Sequence, residues 1–383
     1  MQTAAAFPGA AIASRARDRF QDLLAPLDIR LDGGRPFDLR VHDERLFDVA
    51  VAGGTRAILD AYVDGWWDCD RLDELSARVL SADLDLPVSD KLSLLWRQLV
   101  ARLVNRQTRR RSLALRRHYD LGNDLFRAML DQRMVYSCAY WREAADLDQA
   151  QETKLDLVCR KLALQPGMRV LDIGCGWGSF AKFAAERYGV AVVGITLSQN
   201  QLELGKSLCA GLPVELRLQD YRDLGPERFD AAVSIGMFEH VGYKNYRAFA
   251  QIVRRCLRGD RLFLLQTIGR KTSGVASDPW IVENIFPNSM PPSARQITAA
   301  FEGLLLPEDW HSFGADYDKT LMAWHTNFEA NWPGLREKYG ERFHRMWRCY
   351  LLTCAGAFRA RDIQLWQIVF SPQGVPGGYQ SIR

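Results

Sequence analysis

The sequence predicts an α/β protein, an open and mainly parallel sheet with helices on both faces, preceded by a small mixed N-terminal domain. From about His118, short apolar runs such as Val190 to Ile195, Ala231 to Ile235 and Leu262 to Leu265 alternate with stretches of helical periodicity, the βαβ order that builds parallel sheets. One such run, Arg169 to Ile173, ends in glycines at alternate positions, Gly174, Gly176 and Gly178, before a helical pattern through Phe180, Phe183 and Ala184. The chain's 383 residues also exceed the roughly 250 to 300 at which a single hydrophobic core stops growing, so a second domain is expected.

Residues 1–95 read as that smaller domain. Phe37 to Val41 and Leu46 to Val51 are short alternating segments, and a helical pattern follows through Trp66, Trp67, Leu72 and Leu75. Met1 to Ser14 is small and apolar but lacks a basic stretch ahead of it, which makes a poor signal peptide and points to the cytoplasm. The apolar runs fall far short of the roughly 20 residues of a spanning helix, so no transmembrane segment is expected. Eight cysteines are scattered without a CxxC pair, which favours reduced thiols and offers no metal site. Hydrophobic residues at 48% and charged residues at 25% exclude collagen-like and disordered classes.

Residues 96–117 form a basic linker. Arg97, Arg102, Arg106, Arg109, Arg110, Arg111, Arg116 and Arg117 occur there with no acid among them, behind an apolar helical face of Leu92, Leu95, Trp96, Leu99, Val100 and Leu103. Either this is a core-packed helix followed by a solvated linker, or it is a patch for anionic phospholipid headgroups, each arginine contributing about 1 kcal/mol. Nucleic acid ranks last, because no nucleic-acid-binding signature accompanies the patch and the net charge is only +4.

Residues 118–383 form the main domain, and its chemistry centres on Asp172, Gly174, Gly176 and Gly178. Glycines let the backbone turn tightly at a strand end and let a ligand approach, while the following helix offers N–H groups to an anion. The spacing is GxGxG with an acid two residues ahead, and a strand follows one helix later. This resembles the S-adenosylmethionine-binding strand, loop and helix of class I methyltransferases, and the resemblance implies their seven-stranded, Rossmann-like sheet. The next two strand ends, Thr196-Leu197-Ser198-Gln199-Asn200-Gln201 and Leu218-Gln219-Asp220-Tyr221, stand where such a fold holds its ligand. Thr196 occupies the place of the usual ribose-binding acid, so Thr196, Leu197 and Gln201 would have to substitute. Gln219 or Asp220 is placed to reach the adenine amino group, or else to cap the next helix, with Tyr221 beside them.

His118-Tyr119-Asp120-Leu121-Gly122-Asn123-Asp124-Leu125-Phe126, Tyr136-Ser137-Cys138-Ala139-Tyr140-Trp141, Gly236-Met237-Phe238-Glu239-His240-Val241-Gly242, Phe313-Gly314-Ala315-Asp316-Tyr317 and Cys354-Ala355-Gly356-Ala357-Phe358-Arg359 together resemble the cyclopropane-fatty-acyl-phospholipid synthases. The resemblance covers nearly the whole chain. It implies transfer of a methyl group from S-adenosylmethionine to a cis double bond of a phospholipid acyl chain, and a carbocation that loses a proton as a three-membered ring closes. Tyr136 and Ser137 join the cofactor set, and the enzyme would be a homodimer associated peripherally with the inner face of the membrane.

The same resemblance implies a bicarbonate base held by Cys138, Glu239, Gln266 with Ile268, and Tyr317. Gln266 departs from the family pattern, which has His there; an amide donates an N–H to an anion but shuttles no proton. An aromatic wall would stabilise the cation without attacking it, with Tyr136, Tyr140, Trp141, Phe238, Trp280 and Tyr317 as candidates. Cys354 belongs to the site region as a packing neighbour, since methyl transfer needs no covalent step. The competing readings are methylation of the same alkene to a methyl-branched or methylene product, methylation of a small soluble acceptor, and a silent lipid-binding relative.

Overall fold

A computed structural model describes residues 8–82, 121–274 and 277–383. The basic linker at 96–117, the helical face before it and the His118-Tyr119-Asp120 start of the first motif lie outside the described residues.

The N-terminal region contains helix α1 (Pro8–Leu24), strand β1 (Arg40–Val41), helix α2 (Arg45–Val63), strand β2 (Trp67–Asp68) and helix α3 (Leu72–Ser81). Two expectations are corrected here. Leu46 to Val51 lies within α2, because Asp43 accepts the Arg45 backbone N–H at 3.0 Å and starts a helix. Neighbouring Leu46 and Phe47 are then both buried, as on a helix face rather than an alternating strand. Trp66 and Trp67 precede the next helix instead of starting it. Trp67 pairs with Val41, and its indole donates to the Ile58 carbonyl at 2.8 Å.

The main domain opens with α4 (Asn123–Met129) and α5 (Leu147–Lys161). Strands β3 (Arg169–Ile173), β4 (Ala191–Thr196), β5 (Val214–Leu218), β6 (Ala231–Ile235) and β7 (Phe263–Arg270) are parallel neighbours, and β9 (Ile363–Ser371) and β8 (Leu306–Ser312) complete the edge antiparallel. The seven-stranded order is β5-β4-β3-β6-β7-β9-β8. Alternate residues face opposite layers, as strand geometry requires. Val170, Val192, Val233 and Leu264 pack toward α5 and α6 (Ser179–Tyr188). Leu171, Val193, Phe263 and Leu265 pack toward α8 (Tyr246–Cys256) and α10 (Ala294–Phe301); in sequence α7 (Gln199–Leu208) precedes α8, and α9 (Pro279–Asn284) lies between α8 and α10. The chain reverses direction of travel across the sheet between β3 and β6, and a crevice opens at the carboxyl ends of the strands there.

Helices α11 (Ala315–Tyr339) and α12 (Glu341–Arg359) join the two regions. One hydrophobic core runs from Leu46, Tyr62, Trp67 and Leu72 into Trp324, Trp347 and Leu351, so the small domain shares its core with the larger one. Gly356 permits this approach, since a Cβ there would lie 2.5 Å from the Asp73 carbonyl oxygen. Arg359 donates to Asp73 at 2.7 Å and to Asp318 at 2.9 Å, tying α3, α11 and α12 together.

Candidate active site

The cavity at the strand ends is lined by eleven of the twelve residues expected to hold a cofactor: Tyr136, Ser137, Asp172, Gly174, Gly176, Thr196, Leu197, Gln201, Gln219, Asp220 and Tyr221. Gly174 and Gly176 have φ of +86° and +55°, the left-handed region that favours glycine. A Cβ on Gly174 would collide with Met237 at 2.6 Å, whereas one on Gly176 would meet open space. The exception is Gly178, at φ +80°, which faces away from the cavity toward Cys209 and Leu216. Its purpose is the tight entry into α6.

Thr196 stands at the end of β4 and donates its hydroxyl to Gln201 Oε1 at 3.0 Å, so the two expected polar residues already face each other. Asp220 lines the cavity and accepts the Arg222 backbone N–H at 2.9 Å, capping the short turn that follows. Gln219 lines the cavity too, although its amide donates to the Asp223 carbonyl at 2.9 Å. Asp172 is buried with Oδ2 unpartnered, and burial pushes its carboxyl up to about 7. Lys154, on α5, also borders the cavity; its buried ammonium donates to Ser137 Oγ at 2.8 Å.

The residues expected to do chemistry form a second group beside this cavity. Tyr317, in the first turn of α11, is half-buried, stacks on Phe358 with ring centroids 4.4 Å apart, and lies within electrostatic reach of Cys138, Glu239, Tyr136 and Cys354. Burial first, and then those neighbours, hold its hydroxyl well above the usual phenol range. Glu239 sits on the turn Phe238–His240 after β6. Its Oε1 accepts the Ile268 backbone N–H at 2.6 Å, Oε2 is buried without a hydrogen-bond partner, and burial raises the carboxyl to about 7. Ile268 therefore enters the site through its backbone. Gln266, on the same strand, is buried and accepts from Gln367 Nε2 at 2.9 Å. Cys138 is buried with its thiol aimed at the Ala139 carbonyl, 3.1 Å away. Cys354 is half-buried against the same hydrophobic core.

Tyr136 belongs to both compartments. It lines the cofactor cavity, its hydroxyl shares a hydrogen bond with the Tyr350 hydroxyl at 2.9 Å, and its ring packs on Trp324 at 5.2 Å. Phe286 packs against Tyr136, His240 and Tyr350 at the same junction. Two proposed wall residues are core instead. Phe238 stacks on Tyr246 at 4.3 Å in the opposite layer, because the turn that sends Glu239 inward sends its neighbour outward. Tyr140 packs against His311 and Phe313. Trp280 is fully buried, and Trp141 donates its indole N–H to Thr320 at 3.0 Å.

Tyr350, Phe286, Lys154 and Gln367 escaped the sequence reading, and Phe358 entered it only as part of a family motif. The spacing of Tyr350, Cys354 and Phe358 at four-residue steps puts them on one helix face, a signal that was available. Nothing local in the sequence distinguishes Lys154 from a surface lysine.

A seven-stranded sheet of this order, with a glycine loop and polar strand ends around one cavity, defines a class I S-adenosylmethionine-dependent methyltransferase. The mycolic acid cyclopropane synthetase family model matches residues 106–368, and the chain belongs to that family. It is 50% identical over 363 residues to the cyclopropane-fatty-acyl-phospholipid synthase of Escherichia coli (strain K12), covering 94% of each chain. It is 41% identical over 268 residues to a probable fatty acid methyltransferase of Pseudomonas putida, covering 67% of this chain and 68% of the relative. Among solved structures it resembles mycolic acid cyclopropane synthase CmaA1 complexed with SAH and CTAB, with a TM-score of 0.63 and 34% identity over 68% of this chain and 98% of that one. Among the described residues no helix is long and apolar enough to cross a membrane.

Proposed function

We propose that the chain is a cyclopropane-fatty-acyl-phospholipid synthase, transferring a methylene from S-adenosylmethionine to the cis double bond of an unsaturated phospholipid. The observation that carries this is the shared wall at Tyr136. A cofactor cavity adjoins a buried aromatic group that holds Glu239 with one carboxylate oxygen unpartnered. Such a group suits an alkene, which must be aligned with the methyl and shielded from water that would trap the cation. The π electrons form the new bond to the methyl carbon as its bond to sulfur breaks and S-adenosylhomocysteine leaves, the positive charge passes to the neighbouring lipid carbon, and loss of a methyl proton to a base frees the C–H electron pair that closes the ring. Tyr136, Tyr317 and Tyr350 offer aromatic faces to that charge.

Glu239, with its carboxyl raised to about 7, is placed to hold or move the proton. Bicarbonate is the base that the family implies, and the Tyr317 hydroxyl and the protonated form of Glu239 are donors suited to a small anion, whereas the Gln266 side chain is engaged by Gln367. When bound it would supply a diffusible proton acceptor. The Ile268 N–H is already engaged by Glu239 and the Cys138 thiol by the Ala139 carbonyl, so these two shape the site more than they bind. The eight arginines between Trp96 and His118 support peripheral binding to an anionic membrane surface.

Incubation of the enzyme with S-adenosylmethionine and vesicles of monounsaturated phospholipid tests this reading by mass spectrometry. Gain of one methylene unit per acyl chain is expected. Turnover of small soluble acceptors that vesicles do not stimulate would overturn it.

A further inference from the structure

The loop from Tyr136 to Trp141 reaches into both halves of the site. Tyr136 and Ser137 line the cofactor cavity, and Cys138 lies within electrostatic reach of Tyr317. Helix α11 carries Tyr317 in its first turn, and one side chain a turn further on fastens the loop to it. Thr320 is fully buried and lies outside the cofactor cavity. Its Oγ1 accepts the Ala139 backbone N–H at 3.1 Å and the Trp141 indole N–H at 3.0 Å, while its own proton goes to the Asp316 carbonyl at 2.7 Å. A hydroxyl has one donor and two acceptor sites, so all three are filled. Asp316 adds a parallel contact, because its Oδ2 accepts the Trp141 backbone N–H at 2.8 Å.

We infer that Thr320, assisted by Asp316, is a positioning residue that sets the spacing between the loop at the cofactor cavity and the Tyr317 turn where the proton leaves. This role rests on the cyclopropane-synthase reading and adds to it a residue that acts only through others. Apolar packing is non-directional and lets a loop slide against a helix. Two N–H donors converging on one buried oxygen fix both position and orientation. Without that oxygen two buried N–H groups would lack an acceptor, and the loop would shift to find others.

The cation is the species most sensitive to such a shift, because its fates differ only in where the proton acceptor stands. Over the added methyl, the acceptor takes a methyl proton, and the freed C–H electron pair closes the ring. Displaced along the chain, it takes a proton from the adjoining lipid carbon, and that C–H pair forms a new double bond beside a methyl branch. Where water enters instead, its oxygen bonds to the cation and sheds a proton to solvent, which leaves a methyl and a hydroxyl.

Vesicles of monounsaturated phospholipid, incubated with S-adenosylmethionine bearing a trideuterated methyl, read this partition by mass spectrometry. The ratio of products does not depend on how much of the enzyme is folded, so a merely structural role would leave it unchanged. Thr320→Val, similar in shape without the hydroxyl, is expected to lower ring-forming turnover roughly 10- to 100-fold, the weight of a small misplacement of reacting groups. The share of methylated lipid that keeps all three deuterium atoms or gains a hydroxyl should rise. Thr320→Ser keeps the oxygen and should give the ratio of the unaltered protein. Trp141→Phe removes one donor without stranding a buried N–H, should shift the ratio less in the same direction, and decides the matter if Thr320→Val does not fold. An unchanged ratio in folded Thr320→Val, or in Trp141→Phe where the valine variant does not fold, overturns the inference, as does a serine variant that shifts as far as valine. Unaltered protein that methylates no lipid overturns the cyclopropane-synthase reading instead.

Discussion

At the scale of single residues, the proposed chemistry turns most on Glu239. Its carboxyl is raised from 4.5 to about 7 by burial, so the folded state holds the proton more tightly than the unfolded chain. The stability from this group is full below pH about 4.5 and is lost as pH rises toward 7. Glu239→Gln should therefore raise stability above pH 7, by on the order of 3 kcal/mol at most, while turnover falls roughly 10²- to 10⁴-fold, the usual weight of a general base. Thermal unfolding and initial rates measured on one preparation check both; a variant that loses stability at pH 8 contradicts the burial argument. Glu239 and Tyr317 were legible in the sequence because each sits in a short motif at a strand or helix end. Lys154 and Gln367 were not, because their significance lies in what distant strands place beside them.

Among the elements, the glycine loop after β3 is the most constrained by local geometry. Gly174 combines a positive φ with a Met237 side chain that a Cβ would strike at 2.6 Å. Gly176 carries only the backbone requirement. Gly174→Ala should cost about 2 to 3 kcal/mol and abolish cofactor binding, and Gly176→Ala about 1 kcal/mol, since only the first adds a clash to the strain. Urea midpoints for the pair measure the difference, and equal losses would contradict the close approach of Met237. The alternation of strands and helices made the parallel part of the sheet readable in advance. Leu46 to Val51 reads equally well as strand or helix because six residues of mixed polarity fit either period, and the Asp43 contact that decides for helix precedes the segment.

At the scale of the whole molecule, the N-terminal helices complete the hydrophobic core behind the aromatic site. Asp73 is the hinge of that union; burial alone would raise its carboxyl, but Arg71 and Arg359 hold it at about 2, below its ordinary 3.8. That stabilisation is present above pH about 3.8 and is lost as pH falls toward 2. Arg359→Met should cost roughly 2 to 3 kcal/mol, visible as a lower urea midpoint at pH 7, because it leaves Asp73 buried with one partner fewer. A midpoint unchanged from that of the unaltered protein would show that the contact contributes nothing to the union. A shared core of this kind was not legible: composition announces a second region but says nothing of which helices it covers. In the proposed reaction, methyl transfer to a lipid alkene ends in proton loss inside a dry site. Supplying S-adenosylmethionine with a trideuterated methyl and weighing the phospholipid product tests it most directly. Ring closure predicts that the added carbon keeps two deuterium atoms, and a product that keeps all three would contradict it.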